Sequence, residues 1–480
     1  MKDKLSEIID YLKSKNVNYA DARYVNGRSE SISVANGNME SLSRNQNVGV
    51  GIRVVHKGAW GFASTADLSP GALKKTADLA LKIAAASATT IKEPVLLAPQ
   101  EVYVDHYTSR YKKDPFEVSI DDKIDLLMRT CAILNQSKKI KTAEASMGFF
   151  KTNKLFVSSE GSVIEQDIIE SGAGCYAVAF EGNEAQKRSY PNSLGRVMET
   201  SGYEFVESMN FLDNVEEIRE EAIALLKAKE CPDTIADIVI CAPQMALQIH
   251  ESCGHPTELD RVMGTEISLA GGSFMTIENL NKLQYGSEIV NINADATIPG
   301  GLGSFGYDDE GVKAQRKPII KKGKHVGYLT SRETAPVIGQ RSNGTMRADG
   351  WNRSPLIRMT NINLEPGDWD FDDLIADTRK GIYFGHNKSW SIDDKRLNFQ
   401  FGVEEAREIK NGKLGQLYKN ALYTAITPQF WNSCDAICSK KHWKVWGVPN
   451  CGKGEPMQTA RVGHGAAPAR FRNIKVGVSK

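Results

Sequence analysis

Between positions 21 and 63 apolar and polar residues alternate in short segments, at 21–25, 31–34, 39–44, 48–55 and 59–63. A period of two places alternate side chains on opposite faces of a strand, so this stretch is constrained to an antiparallel sheet with one covered face. Asn36-Gly37-Asn38 and Lys57-Gly58 supply the hairpin turns. The cover is amphipathic helix. Leu5, Ile8, Ile9 and Leu12 share one helical face, and a second helix is expected over 71–86 with Leu73, Ala77, Leu79, Ala80, Leu81 and Ile83 as its apolar content.

A second cycle of the same kind follows. A helix is expected at 120–136, strands at 142–151, 154–159, 162–167, 173–180 and 185–190, and a charged helix at 215–229. Both cycles carry a Gly-x-Gly strand, Gly49-Val50-Gly51 and Gly172-Ala173-Gly174. That similarity reads as a duplicated helix-plus-meander unit. Glu230-Cys231-Pro232-Asp233 reads as a linker, because Pro232 cannot continue a helix and a buried-type strand, 235–241, follows. The remainder is rich in Gly and Asn, with helices expected only after Pro243 and near 371–378. The expected fold is therefore α+β. Residues 1–232 form a helix-plus-antiparallel-sheet domain, and residues 233–480 form a β-rich domain with one metal-site helix.

Charge narrows the partners. Sixty Lys and Arg against 59 Asp and Glu leave a net charge of +1. There is no basic field for a phosphate backbone or an anionic membrane, so nucleic acid and membrane are not expected partners. No apolar run reaches the ~18 residues of a membrane span. The N-terminus reads as an amphipathic helix rather than a secretory signal, and eight scattered cysteines fit reduced thiols, so the cytoplasm is the expected address.

The chemistry concentrates after Pro243, where a helix carries His250-Glu251-Ser252-Cys253-Gly254-His255. Two imidazoles are good zinc ligands, and a carboxylate beside the first can take a proton from a zinc-activated water. The spacing is one residue too long for a regular helix. Four residues separate two histidines by about 40° around the axis, five by about 140°. A π-turn, with i→i+5 bonding, would realign them, and so would unwinding at Gly254 and Pro256. A third ligand must come from elsewhere: Cys253, Cys434, Cys438, Cys451, His325, His386, His442 and His464 are the candidates. Cys451 lies in Val448-Pro-Asn-Cys-Gly-Lys-Gly454, which reads as an exposed turn.

The order of these stretches resembles the TldD/PmbA peptidase family. The resemblance rests on His250-Glu-Ser-Cys-Gly-His255, Ile298-Pro-Gly-Gly-Leu-Gly-Ser-Phe-Gly-Tyr-Asp-Asp-Glu-Gly311, Arg358-Met-Thr-Asn361, Gly381-Ile-Tyr383, Cys451-Gly-Lys-Gly454 and Val462-Gly-His-Gly465. It implies a zinc site of His250, His255 and Cys451 with Glu251 as catalytic base. It also implies a homodimer or a heterodimer with a TldE-like subunit that lacks the motif, acting on unfolded peptides or peptide leaders. The alternative is a non-catalytic peptide-binding or regulatory subunit of such an assembly. His464, between two glycines, and Arg358 are candidate substrate-binding residues. Asp308-Asp309-Glu310 reads as a solvated or arginine-paired acidic turn rather than a cation site, and the preceding Gly300-Gly-Leu-Gly303 as a mobile loop beside a cavity. The segment 430–445 has no counterpart in the resemblance.

Overall fold

Asn36 and Gly37 take φ of 51° and 78°, and Lys57 and Gly58 take 53° and 79°. These are the left-handed pairs a two-residue hairpin turn needs. They fold β1 (Tyr19–Ala35), β2 (Asn38–His56) and β3 (Ala59–Thr65) into a meander. In the computed structural model, which describes residues 1–269 and 271–478, this meander joins β4 (Val104–Thr108), β5 (Ile140–Ser158), β6 (Val163–Glu181), β7 (Glu184–Tyr190) and β8 (Val197–Glu199). The sheet runs β3-β2-β1-β5-β6-β4, with β7 and β8 also on β6. The two cycles meet where β1 lies antiparallel to β5, with Tyr24 opposite Leu155 and Ile32 opposite Met147.

Four of these strands are about twice as long as the sequence pattern predicts. Positions 21–25 and 31–34 are one strand, 39–44 and 48–55 another, and the same holds within β5 and β6. The cause is that the sheet covers two cores. Ala20, Ala22, Val50, Ile52, Leu155 and Val157 pack under α1 (Lys2–Lys13) and α2 (Pro70–Ser87). Further along the same strands Ile32, Val34, Ala145, Met147 and Ala177 pack against α3 (Ile120–Leu134) and α4 (Phe211–Leu225). Between the two cores the strands carry Arg23, Arg28, Asn45, Asn47 and Thr152, which line a cavity instead.

The Gly-x-Gly strands are crossing points. A methyl group on Gly49 would stand 2.3 Å from the Trp351 ring, and one on Gly51 would stand 2.2 Å from the Trp351 carbonyl. Gly172 and Gly174 make the same allowance for Met198 and Gly195. In each cycle another stretch of chain lies flat on the sheet where no Cβ intervenes.

After the linker, β9 (Thr234–Ile240) is central to a ten-stranded mixed sheet, parallel to β10 (Lys380–Phe384). The helix expected after Pro243 is α5 (Ala242–Ile249), with a proline in its first turn. A separate hairpin pairs β11 (Lys444–Lys453) with β12 (Gln458–Ala466), and β13 (Ala469–Val478) returns to lie antiparallel to β9. The Gly300–Gly303 run is packed rather than loose: Gly303 N–H donates to Asn361 Oδ1 at 2.9 Å, and Asn361 Nδ2 donates to the Asp295 carbonyl and to Ser304 Oγ. No helix among the described residues is long and apolar enough to cross a membrane.

Candidate metal centre

The α-helix that starts at Ala242 changes pitch at the first histidine. His250–Gly254 is a π-helical turn, closed by the His255 N–H donating to the His250 carbonyl. His255–Thr257 then continues as a 3-10 turn. The wider turn brings the five-residue spacing back onto one face, and the two imidazoles meet edge to face with ring centres 4.8 Å apart. Gly254 permits this by contact: a Cβ there would lie 2.1 Å from Met359 Sδ.

The third member arrives from β11. Its pairing with β12 shifts register between Val448 and Cys451, at Pro449-Asn450, and that irregularity re-aims the strand. Cys451 is thus a buried strand residue, 4% exposed, where its proline and glycine neighbours suggested an exposed turn. Its Sγ lies 3.7 Å from His255 Nε2. Ligand atoms of His250, His255 and Cys451 all fall within 4.8 Å of one another.

Each imidazole is oriented from behind. His464 Nδ1 faces the Ile362 carbonyl at 3.2 Å, which only accepts, so that nitrogen carries the proton. Burial holds His464 neutral, its pKa well below the ordinary value. Its Nε2 is therefore bare and accepts from His250 Nδ1–H at 2.8 Å, which leaves His250 Nε2 with a free lone pair. His255 Nδ1–H donates to Glu258 Oε2 at 3.0 Å and likewise frees its Nε2. Burial alone would raise the Glu258 carboxyl, but Lys453, His255 and Arg261 hold it well below its usual range. Burial lowers the pKa of both His250 and His255, which keeps them in the ligating neutral form. Burial would raise the Cys451 thiol; His255, whose Nε2 can take the thiol proton, and Arg358 outweigh it, and the net shift is downward. Two neutral imidazoles and a thiol poised to ionise are a donor set suited to zinc, with one tetrahedral position left over.

Glu251 is buried beside His250 and ion-paired through Oε2 with Arg396. Arg358, 1% exposed, donates from Nη2 to the Cys451 carbonyl at 2.6 Å and from Nη1 to the Gln458 carbonyl at 3.0 Å. The other candidate ligands do not join the cluster, Cys253 although it stands in the π-turn and His464 although it backs His250. Cys253 is fully buried with its thiol pushed up to about 12, as is Cys438. Cys434 sits on the short strand Cys434–Ile437. His325 Nε2–H donates to the Gly327 carbonyl at 2.9 Å, His442 lies at Asp370, and His386 sits with Arg188, Glu404 and Glu405. Two partners escaped the sequence reading. Glu258 had a signal, a carboxylate three residues beyond His255. Arg396 had none, since it comes from a distant loop in a left-handed conformation, φ 65°. The unplaced segment contributes Trp431, whose Nε1–H donates to Ser252 Oγ at 3.0 Å inside the π-turn.

The fold and site define an α+β protein built on an eight-stranded and a ten-stranded sheet, with a buried His-His-Cys cluster. Comparison with known proteins gives the family. The PmbA/TldA metallopeptidase C-terminal domain matches residues 236–478, the family's domain 1 matches 20–84 and its central domain matches 113–230. A metalloprotease of Methanocaldococcus jannaschii is 32% identical over 94% of this chain and 95% of its own length. A metalloprotease TldD homolog of Haemophilus influenzae is 27% identical, covering 98% and 95%. Among solved structures, a Thermotoga maritima protein described as a DNA gyrase modulator superposes with TM-score 0.77 at 18% identity, covering 99% of each chain. TldE from Thermococcus kodakarensis superposes with TM-score 0.76 at 15% identity, covering 99% of this chain and all of that one. The chain belongs to the TldD/PmbA metallopeptidase family.

Proposed function

We propose that this chain is a zinc-dependent peptidase that hydrolyses unfolded peptides or peptide leaders, with His250, His255 and Cys451 holding the metal and Glu251 as general base. The observation that carries the reading is the π-turn, which puts two histidines of unusual spacing beside a cysteine some 200 positions away, each imidazole turned by its own partner to offer Nε2. Zinc bound by these residues would lower the pKa of a water toward ~7 and polarise the scissile carbonyl. Glu251 takes the proton of the attacking water at its carboxylate and returns it to the leaving amine. Arg396 fixes that carboxylate by its ion pair. His464 and Glu258 act behind the ligands, and Arg358 holds the backbone of Cys451, so the roles of His464 and Arg358 are to position the ligands rather than to grip substrate.

We also take residues 1–232 and 233–480 as the two working units, the first a duplicated sheet that roofs the second. The likeness to TldE supports a homodimer or a heterodimer with a TldE-like subunit, and eight buried free cysteines suit the cytoplasm.

The test is metal analysis together with Glu251→Gln. The parent holds about one zinc per chain and cuts an unfolded protein. Glu251→Gln keeps the zinc and loses at least ~10² in rate. Near-parent cleavage by a zinc-loaded Glu251→Gln protein removes the general-base role, and loss of zinc makes Glu251 a ligand.

A further inference from the structure

A cavity of about 270 Å³ lies between the first sheet and the second half of the chain. It adjoins the metal centre through shared elements. Ala460 in its wall is the β12 partner of Cys451. Arg358, which lines it, is the residue bound to the Cys451 carbonyl.

The charges in this wall do not cancel. Arg23 and Lys154 are matched to Asp309, at 3.7 and 3.2 Å. Arg461 pairs with Glu170 at 2.6 Å and lies over the Phe150 ring at 4.3 Å. Asp308 is engaged by the backbone N–H groups of Glu310, Val312 and Met346. Arg347 is different. Its Nη1 donates only to the Met359 carbonyl at 2.9 Å, its guanidinium lies 5.5 Å from the Phe305 ring, and no described carboxylate lies within ion-pair distance. Burial pulls its pKa down to about 10; Glu170 offsets this only in part, and the neighbouring Arg358 and Arg461 add to the fall. Arg358 has no carboxylate partner either, and its buried Nε finds no hydrogen-bond partner among the described residues. A half-buried guanidinium without a carboxylate, as at Arg347, gains when an anion comes to it. An arginine backed by an aromatic ring and open to a cavity presents the forked donor geometry that a carboxylate fits. Glu170 and Asp309 in the same wall repel a dianion more strongly than a monoanion, which favours a carboxylate over a phosphate.

We propose that this cavity is a carboxylate-binding subsite for the peptide, taking an acidic side chain or the C-terminal carboxylate, with Arg347 as the principal partner and Arg461 as the second. The proposal rests on the peptidase reading and names a substrate class for it.

The probes are two pairs of alanine hexapeptides with a neutral N-terminal fluorophore. One pair differs by a central Glu against Gln, both amidated; the other by a free C-terminal acid against an amide. Affinity is measured by fluorescence on chelator-treated whole protein, and KM on zinc-loaded protein. The carboxylate member of at least one pair binds at least tenfold tighter, and the pair that responds identifies the source. Arg347→Gln abolishes that advantage and leaves affinity for the neutral member unchanged. Equal affinities within both pairs overturn the proposal, as does a preference that Arg347→Gln retains; should that variant not fold, Arg461→Gln is read in the same way. Peptides cut with equal KM in each pair refute the subsite alone. Selective binding without any cleavage refutes the peptidase reading and leaves the subsite standing.

Discussion

His464 shows how much a single proton position decides. Its Nδ1–H is committed to the Ile362 carbonyl, so its Nε2 can only accept, and His250 is forced into the tautomer that offers Nε2. Removing it frees the His250 ring to rotate and leaves its Nδ1–H without an acceptor. Metal-site partners of this kind are worth about 10–100-fold in metal affinity. His464→Ala is therefore expected to lose zinc to a chelator at that much lower chelator concentration while the fold, followed by circular dichroism, is retained. Unchanged affinity would mean the ring is held by packing alone. At this scale the sequence was informative about identity and silent about orientation. His250, Glu251 and His255 stand together in it, and the five-residue spacing itself called for either a wider turn or unwinding at Gly254 and Pro256. The direction of each imidazole depends on His464 and Glu258, and on the Ile362 carbonyl, which belongs to no motif. Arg396 lies 145 positions from the glutamate it pairs with, and only the folded chain connects them.

The π-turn is the element on which the centre depends. It is held from outside by Trp431 and from inside by the absence of a side chain at Gly254, whose φ is an ordinary −60°. Gly254 is thus required for space and not for backbone freedom. Gly254→Ala sets a methyl 2.1 Å from Met359 Sδ, and Met359 is itself fully buried. The strain of such overpacking is about 1–3 kcal/mol. We expect Gly254→Ala to lower the unfolding midpoint and to displace the histidine pair, so that zinc retention falls more than stability does. A variant that is less stable yet binds zinc as the parent does would show that the clash relaxes away from the turn. Elements elsewhere were legible where one pattern serves one core. The helices at 120–134 and 371–377 and both two-residue hairpins stand within a residue or two of expectation. The long strands were not, because their middles face a cavity. Arg28, Asn45 and Asn47 break the apolar alternation although the hydrogen-bond ladder runs through them without a gap. Cys451 was misplaced in a turn for a related reason: Pro449 and Asn450 mark a register shift inside a strand, and in sequence a bulge and a turn use the same residues.

The two halves of the molecule are joined by charge as well as by Trp351. Asp309 reaches from the second half to Lys154 on β5 and Arg23 on β1, and also accepts the Ala348 N–H at 2.7 Å. Glu310 lies 3.6 Å from Arg53 on β2. Burial would raise the Asp309 carboxyl, but Lys154 and Arg23 bring it down to about 2, below its usual 3.8. A depressed folded value means the unfolded chain binds the proton more readily. The contribution to stability is present above the unfolded value and is lost as pH falls through the folded one. Arg23, although burial lowers its pKa, stays cationic throughout this range, so only the carboxyl titrates. The shift corresponds to about 2 kcal/mol, at about 1.4 kcal/mol per pKa unit. Asp309→Asn leaves Arg23 and Lys154 facing an uncharged amide in a buried site, at a cost of about 3–5 kcal/mol. That cost is expected near neutral pH as a lower denaturation midpoint, with earlier proteolytic cutting between the halves. As pH falls from about 4 to about 2 the parent loses its share and the variant does not, so the gap in unfolding free energy narrows by about 2 kcal/mol. A gap that stays constant across that interval would show that Asp309 acts through its hydrogen bond to Ala348, and that charge does not hold the halves together.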